Sequence, residues 1–399
     1  MIIYFSNRDV HPAKISENKP EELFGDGFEN GDATSLRMCV YEAEDKDAGK
    51  PESYELVDEG DEANAIASVR NRITAGDLSK EWLVFLHGNN QSFKKNMAKC
   101  QNLEIDYGVN VIAFSWPSKP DVDMQDMKDL AGKISVDAAI LDVITIGVLH
   151  KKLIAYLRAR CNAISSRLSF DNTLKLVRDE LQGKLANDNK LNLNFLSYSL
   201  GNFLLEQTVL DNNFTAGNDM FSNAIVCQAD VNHDDHKTWL KKYKYADRIY
   251  VTHNEYDLVL MSSDLQNPER LGHAVRDLDP VPNLVQHVDF TEGRQVGATH
   301  QLFSLYKIKK TYASDNSIDP GNDIEEEDLK VVSSKRVCRN DSVCKFFDDV
   351  FHGAEVFPSE AAANGRGFKF VDEMKAYQLI DQVHYIDPPE DDLSTDDQG

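Results

Sequence analysis

Short apolar runs recur through the middle of this chain. They stand at 82–86 (WLVFL), 109–116 (VNVIAFSW), 191–196 (LNLNFL), 223–228 (NAIVCQ), 248–252 (RIYVT) and 284–290 (LVQHVDF). Each is too short for a globular helix, and the most continuous ones match strands covered on both faces. Most are separated by helix-compatible spans. Strands alternating with helices predict an α/β chain with a mostly parallel central sheet flanked by helices. Two earlier strands are expected at 2–5 and 36–42, with loops at 11–34 and 44–60. Helices are expected at 62–75, ended by Gly76, and at 91–103. In such a sheet reactive groups collect at the C-terminal ends of the strands.

One connection is too long for a single crossover helix. Between Pro117 and Leu191 almost everything is helix-compatible. We expect a helical cap inserted at about 121–169, then a crossover helix near 171–185. The run at 284–290 is expected as the last strand, with HQLFSLYKIKK at 300–310 as a helix after it. The main domain is then 1–310. An acidic linker follows at 311–328, a small appendage at 329–386 and a disordered acidic tail at 387–399.

The strand at 191–196 runs into Ser197-Tyr198-Ser199-Leu200-Gly201 and then an apolar helix. That is the layout of a nucleophile elbow, in which a sharp strand-to-helix turn exposes a serine hydroxyl beside free helix N–H groups. Ser199 is the candidate nucleophile. A serine needs a base, a carboxylate to orient it and donors for the oxyanion. His300, about ten residues past the last expected strand, is the candidate base. Two acids stand at strand ends, Asp257 after RIYVT and Asp230 after NAIVCQA, and Asp257 is preferred. The Leu200 amide is the first expected oxyanion donor. The turn after WLVFL supplies the second, from Asn89, joined or not by Asn90. The His87 ring is expected to shape that turn.

The formal net charge is −24, and residues 311–399 hold 21 Asp/Glu against 8 Lys/Arg. Such a chain is not drawn to nucleic acid or to anionic membranes. The window 136–157 is interrupted by Asp137, Asp142, His150, Lys151 and Lys152, too polar for a transmembrane segment. The first residues lack a basic, then apolar, leader pattern, so a cytoplasmic protein is expected. Cys39, Cys100, Cys161, Cys227, Cys338 and Cys344 form no CxxC pair, and all six are expected as reduced thiols.

Together FLHGNN (85–90), FSWPS (114–118), LSYSLGN (196–202), QADVN (228–232), THNEYD (252–257) and ATH (298–300) resemble the α/β-hydrolase superfamily. More narrowly they are similar to a bacterial group of lipase-like α/β hydrolases of poorly defined function. YFSNR (4–8) and PERLG (268–272) add to the likeness. The resemblance spans about 1–310. It implies an α/β-hydrolase fold with Ser199 as nucleophile, Asp257 as acid and His300 as base. In this chain Tyr198 replaces the group's elbow histidine and Ser197 its alanine, Gln228 stands before A-D in place of alanine before P-D, and one extra residue separates Asn254 from Asp257. The expected activity is hydrolysis of a small-molecule ester with an acyl or lipid-like portion, with no metal or other cofactor. The alternatives are a triad hydrolase of amides, thioesters or peptides, and a non-catalytic module that recruits a protein partner through its acidic C-terminal region.

Overall fold

The period-two burial of the central strands builds the sheet. Trp82, Val84 and Leu86 pack into one core layer, while Leu83 and Phe85 pack into the other. All five are fully buried, as a strand sandwiched between two helical layers requires. The same alternation recurs at Ile112 and Phe114 against Val111 and Ala113, and at Leu193 and Phe195 against Leu196 and Tyr198.

The computed structural model describes residues 1–43, 52–120, 147–211, 220–243, 245–264, 267–278, 285–312 and 331–380. Its strands are β1 (Ile2–Ser6), β2 (Arg8–Val10), β3 (Phe24–Phe28), β4 (Arg37–Glu42), β5 (Ser53–Leu56), β6 (Glu81–Leu86), β7 (Asn110–Ser115) and β8 (Asn192–Tyr198). They continue with β9 (Phe221–Cys227), β10 (Ala246–His253), β11 (Val285–Asp289), β12 (Tyr306–Tyr312), β13 (Val331–Cys338), β14 (Phe368–Val371) and β15 (Ala376–Leu379). Eleven strands form one sheet in the order β14-β15-β11-β10-β9-β8-β6-β7-β1-β4-β5. From β15 to β1 all pairings are parallel, and each edge is finished by antiparallel strands. This is the mostly parallel, helix-flanked architecture that the sequence predicts.

Several expectations shift. β5 falls inside the expected loop 44–60, and β3 inside the loop 11–34. The span 300–310 is not a helix. It makes a short 3-10 turn, Leu302–Ser304, and then β12, paired antiparallel with β13. The stretch YKIKKTY is rich in aromatic and β-branched residues, which suit a strand once a partner is present. Nor is 284–290 the last strand of the sheet. The region expected as an appendage contributes β14 and β15, and β15 adds in parallel to β11. Its helix Asp341–Phe351 buries Val343, Phe346, Phe347 and Val350 in the core beside β6 and β8. The parts of the expected cap at 121–146, of the linker at 313–328 and of the tail at 387–399 lie outside the described residues.

After 121–146 the chain forms the helix Gly147–Ser165 and then Arg167–Leu176. Both pack on the helix Gly201–Leu210, which continues the elbow. Cys39, Cys100, Cys161 and Cys227 are free thiols. Cys344 is disulfide-bonded, which corrects the expectation of six reduced cysteines.

Neutral histidines are built into the interior. His253 and His287 are buried, with His253 Nε2 2.9 Å from His287 Nδ1 and His253 Nδ1 2.8 Å from the Leu271 carbonyl. Burial pushes His253 down to about 3 and holds His287 and His87 well below the ordinary histidine value. The unfolded chain takes up these protons below pH ~6.5 and the folded one does not, so stability falls as pH drops through that value. Each such histidine contributes a slope of up to ~1.4 kcal/mol per pH unit. Thermal melts between pH 7.5 and 5 are expected to show a steep decline beginning near pH 6.5. A flat profile down to pH 5 would contradict neutral burial.

Candidate active site

The chain leaves β8 through a strained turn. Ser199 has φ of 53°, a left-handed conformation that a residue with a Cβ adopts at a cost of about 1–3 kcal/mol. Three sets of contacts hold it there. The Ser199 amide donates to the Cys227 carbonyl at 3.0 Å, and the Ser199 carbonyl accepts from the Asp230 amide at 3.2 Å. The buried Asn202 side chain donates to the Ser197, Ser199 and Cys227 carbonyls at 3.3, 3.2 and 3.1 Å. Its oxygen accepts from Ser197 Oγ. At Gly201 a Cβ would lie 2.7 Å from the His87 carbonyl oxygen, so a glycine is needed where the elbow helix crosses β6. The sequence flags the serine and places Asn202 in the LSYSLGN motif, but the bonds that Asn202 makes to the turn are a property of the fold.

The turn after β6 comes right up to the serine. A Cβ on Gly88 would stand 2.6 Å from Ser199 Cβ. His87 is the turn's internal brace. The Trp116 amide donates to His87 Nε2 at 3.1 Å, which places the ring's proton on Nδ1, and Nδ1 donates to the Gly88 carbonyl at 2.9 Å. That bond fixes the Gly88–Asn89 peptide, and in a trans peptide the Asn89 N–H points opposite to the held carbonyl. Among the described residues neither the Asn89 nor the Leu200 amide donates to another protein group, whereas the Asn90 amide donates to the Ser118 carbonyl at 2.9 Å. Asn90 is therefore committed to the frame.

The same frame explains two of the sequence motifs. Arg8, fully buried, donates from Nε to Ser115 Oγ at 3.0 Å, from Nη1 to the Gly25 carbonyl at 2.9 Å and from Nη2 to the carbonyls of Gln91 (2.7 Å) and Trp116. Ser118 Oγ accepts from the Gln91 amide at 3.1 Å. YFSNR and FSWPS thus brace the HGNN turn from below, a role that linear spacing does not reveal.

Ser199 Oγ is 2.9 Å from His300 Nε2, and His300 Nδ1 is 2.5 Å from Asp257 Oδ2. Asp257 is fully buried, and its other oxygen accepts from the amides of Val259 and Leu260 at 3.0 and 3.1 Å, capping the helix Leu258–Asp264. Both carboxylate oxygens are thereby fixed. Asn254 joins the acid loop to the histidine loop, with Nδ2 donating to the Gly297 and Thr299 carbonyls at 2.9 and 3.0 Å. Its position in THNEYD marks it in sequence, but its reach to Thr299 is a property of the fold.

The Asp230 carboxylate is engaged by other groups. Its Oδ1 lies 3.2 Å from Arg270 Nε, 3.2 Å from Tyr156 Oη and 2.8 Å from Ser263 Oγ. Arg270, from PERLG, is buried and also donates to Asn232 Oδ1 at 2.8 Å. Of the two candidate acids, Asp257 is thus the one that meets His300. Of the other histidines weighed, His253 belongs to the buried pair and His273 bonds Asp264 at 2.5 Å. Behind the elbow helix lies a cavity of about 340 Å³ lined by residues that include Arg160, Phe203, Glu206, Asn232 and Asp235. Burial raises Glu206 to about 7. None of the lining residues is Ser199, Asp257 or His300, so this cavity is set apart from the serine. Among the described residues no group of three His, Cys, Asp or Glu side chains is arranged to hold a metal ion, and no helix is long and apolar enough to cross a membrane.

No curated protein and no solved structure matches the chain. A family model described as "Alpha/beta hydrolase of unknown function (DUF900)" matches residues 62–296. The match covers more than half of the chain, takes in β6 to β11 with the elbow and Asp257, and stops four residues before His300. On that match and this sheet, the chain belongs to the DUF900 family of alpha/beta hydrolases.

Proposed function

We propose that this chain is a serine hydrolase that cleaves carboxylic esters, with Ser199, His300 and Asp257 as its catalytic triad. The observation that carries the reading is the unbroken series of hydrogen bonds from Asp257 through His300 to Ser199. Ser199 Oγ attacks the ester carbonyl carbon while His300 Nε2 takes its proton. Asp257 stabilises the imidazolium that results. The Leu200 and Asn89 amides, not engaged with other protein groups, are the oxyanion donors, each worth about 3 kcal/mol in the transition state. His300 then returns the proton to the departing alkoxide, leaving an acyl-enzyme. A water, deprotonated by His300, attacks that acyl carbon and frees the acid and Ser199. The scheme calls on no cofactor.

An acyl or lipid-like substrate fits the surface beside the acid. Tyr256, Leu258, Val259 and Met261 flank Asp257 and are each at least 42% exposed. Clustered apolar exposure of this kind marks a binding surface more often than scattered single residues do. A fluorophosphonate probe is expected to label wild-type protein at Ser199 and to leave Ser199→Ala unlabelled. Hydrolysis of p-nitrophenyl esters is expected to fall about 10⁶-fold in kcat in that variant and to favour longer acyl chains in the wild type. Folded wild-type protein that neither labels nor turns over any ester would replace this reading with the non-catalytic scaffold.

A further inference from the structure

His300 is held from both sides along the chain. On one side the Thr299 carbonyl accepts from Asn254. On the other, Gln301 Oε1 accepts from the Nζ of Lys99, which stands on the helix Phe93–Tyr107 that starts from the HGNN turn. The same Nζ lies 5.7 Å from the centre of the Tyr198 ring. Tyr198, the residue before the nucleophile, has its ring centre 5.0 Å from that of His300 and 5.1 Å from that of Phe303. One lysine thus touches the ring beside the base and the side chain that follows the base, and it comes from the element that begins at the oxyanion turn.

We propose that Lys99 is a positioning residue for His300: its ammonium, bonded to Gln301 and resting on Tyr198, holds the imidazole over Ser199, and the hold requires the positive charge. This rests on the serine-hydrolase reading above. A cation over an aromatic face is attracted by the ring quadrupole, and an ammonium donates a stronger hydrogen bond than a neutral amine. Among the described residues no carboxylate stands within ion-pair distance of Lys99. The groups around it are Lys95 and Cys100 on its own helix, His87 in the turn after β6, Tyr198 on β8, and Gln301 with His300 on the final loop. Burial, with Lys95 adding to it, lowers Lys99 to about 8. The hold therefore weakens as pH rises through that value.

The test is the pH profile, from 6 to 10, of p-nitrophenyl butyrate hydrolysis and of fluorophosphonate labelling. It compares wild type, Ser199→Ala, Lys99→Arg and Lys99→Met. Wild-type kcat is expected to decline on the alkaline side with an apparent pKa near 8. Lys99→Arg, charged throughout, is expected to keep kcat at pH 7 within about twofold and to lose the decline. Lys99→Met is expected to lose about tenfold in kcat at pH 7, with KM little changed and no alkaline step, as a mispositioned base predicts. Lys99→Met with wild-type kcat and the same alkaline step would overturn the proposal, as would a step retained in Lys99→Arg. Wild type no more active than Ser199→Ala would instead remove the underlying serine-hydrolase reading.

Discussion

Asp257→Asn is expected to lower kcat about 10⁴-fold without unfolding the protein. The asparagine oxygen can still accept from the Val259 and Leu260 amides, so the cap on the helix Leu258–Asp264 survives. Its NH₂ group then faces His300 Nδ1, where the wild type presents an acceptor 2.5 Å away. To meet a donor, the imidazole must move its proton to Nε2. That nitrogen stands 2.9 Å from Ser199 Oγ and, once protonated, cannot take the serine's proton. Asp230→Asn leaves the histidine's tautomer alone and is expected to keep kcat within about tenfold of wild type. Steady-state kinetics on the two variants, side by side, decide between the acids. A larger loss from Asp230→Asn than from Asp257→Asn would sink the assignment.

The largest stability effect is expected at that second carboxylate. Asp230→Ala strips Arg270 of its ion-pair partner at a site where both side chains are almost fully buried. Tyr156 and Ser263 lose their acceptor in the same step. Removing one member of a buried pair typically costs about 3–5 kcal/mol, because the remaining charge keeps its desolvation penalty. The urea midpoint is expected to fall accordingly, with fluorophosphonate labelling of the folded fraction retained. The double variant Asp230→Ala/Arg270→Met is expected to regain much of the loss, since no charge is left stranded. A midpoint shift worth less than about 1 kcal/mol in the single variant would mean that water already solvates the pair.

The central sheet was readable because it is made of residues that leave no choice. WLVFL and NAIVC are buried on both faces, too short for a globular helix and too continuously apolar for a strand with a solvent face. The turn at Ser199 was readable for a related reason: it interrupts an apolar strand and starts an apolar helix. β14 and β15 left no comparable trace. Each is four residues long, and they are joined through a turn at Lys375 with φ of 54°. What makes them strands is the open edge of β11, a partner distant in sequence. The frame around the turn was hidden in the same way. His87 was expected to shape the turn, but Arg8, Trp116, Ser118 and Asn202 act through carbonyls and amides that only the folded chain brings near. Asn254 and Lys99 reach across to either side of His300, and neither spacing nor composition encodes that reach.

The lateral pairing of β11 with β15 also carries a cost during synthesis. Translation runs from the N-terminus, so β8, β9, β10 and β11 leave the ribosome long before residues Ala376–Leu379 exist. Until β15 is made β11 lacks its outer partner, and for the earlier part of that interval Phe290 and Phe303 also lack the Phe346 and Phe347 rings that later cover them. An uncovered edge of this kind is a template for pairing with another nascent chain. The interval is a property of strand order alone, and slowing elongation before residue 376 would lengthen it. Yield of soluble protein should therefore respond to codon choice after β11 more strongly than to codon choice before β6.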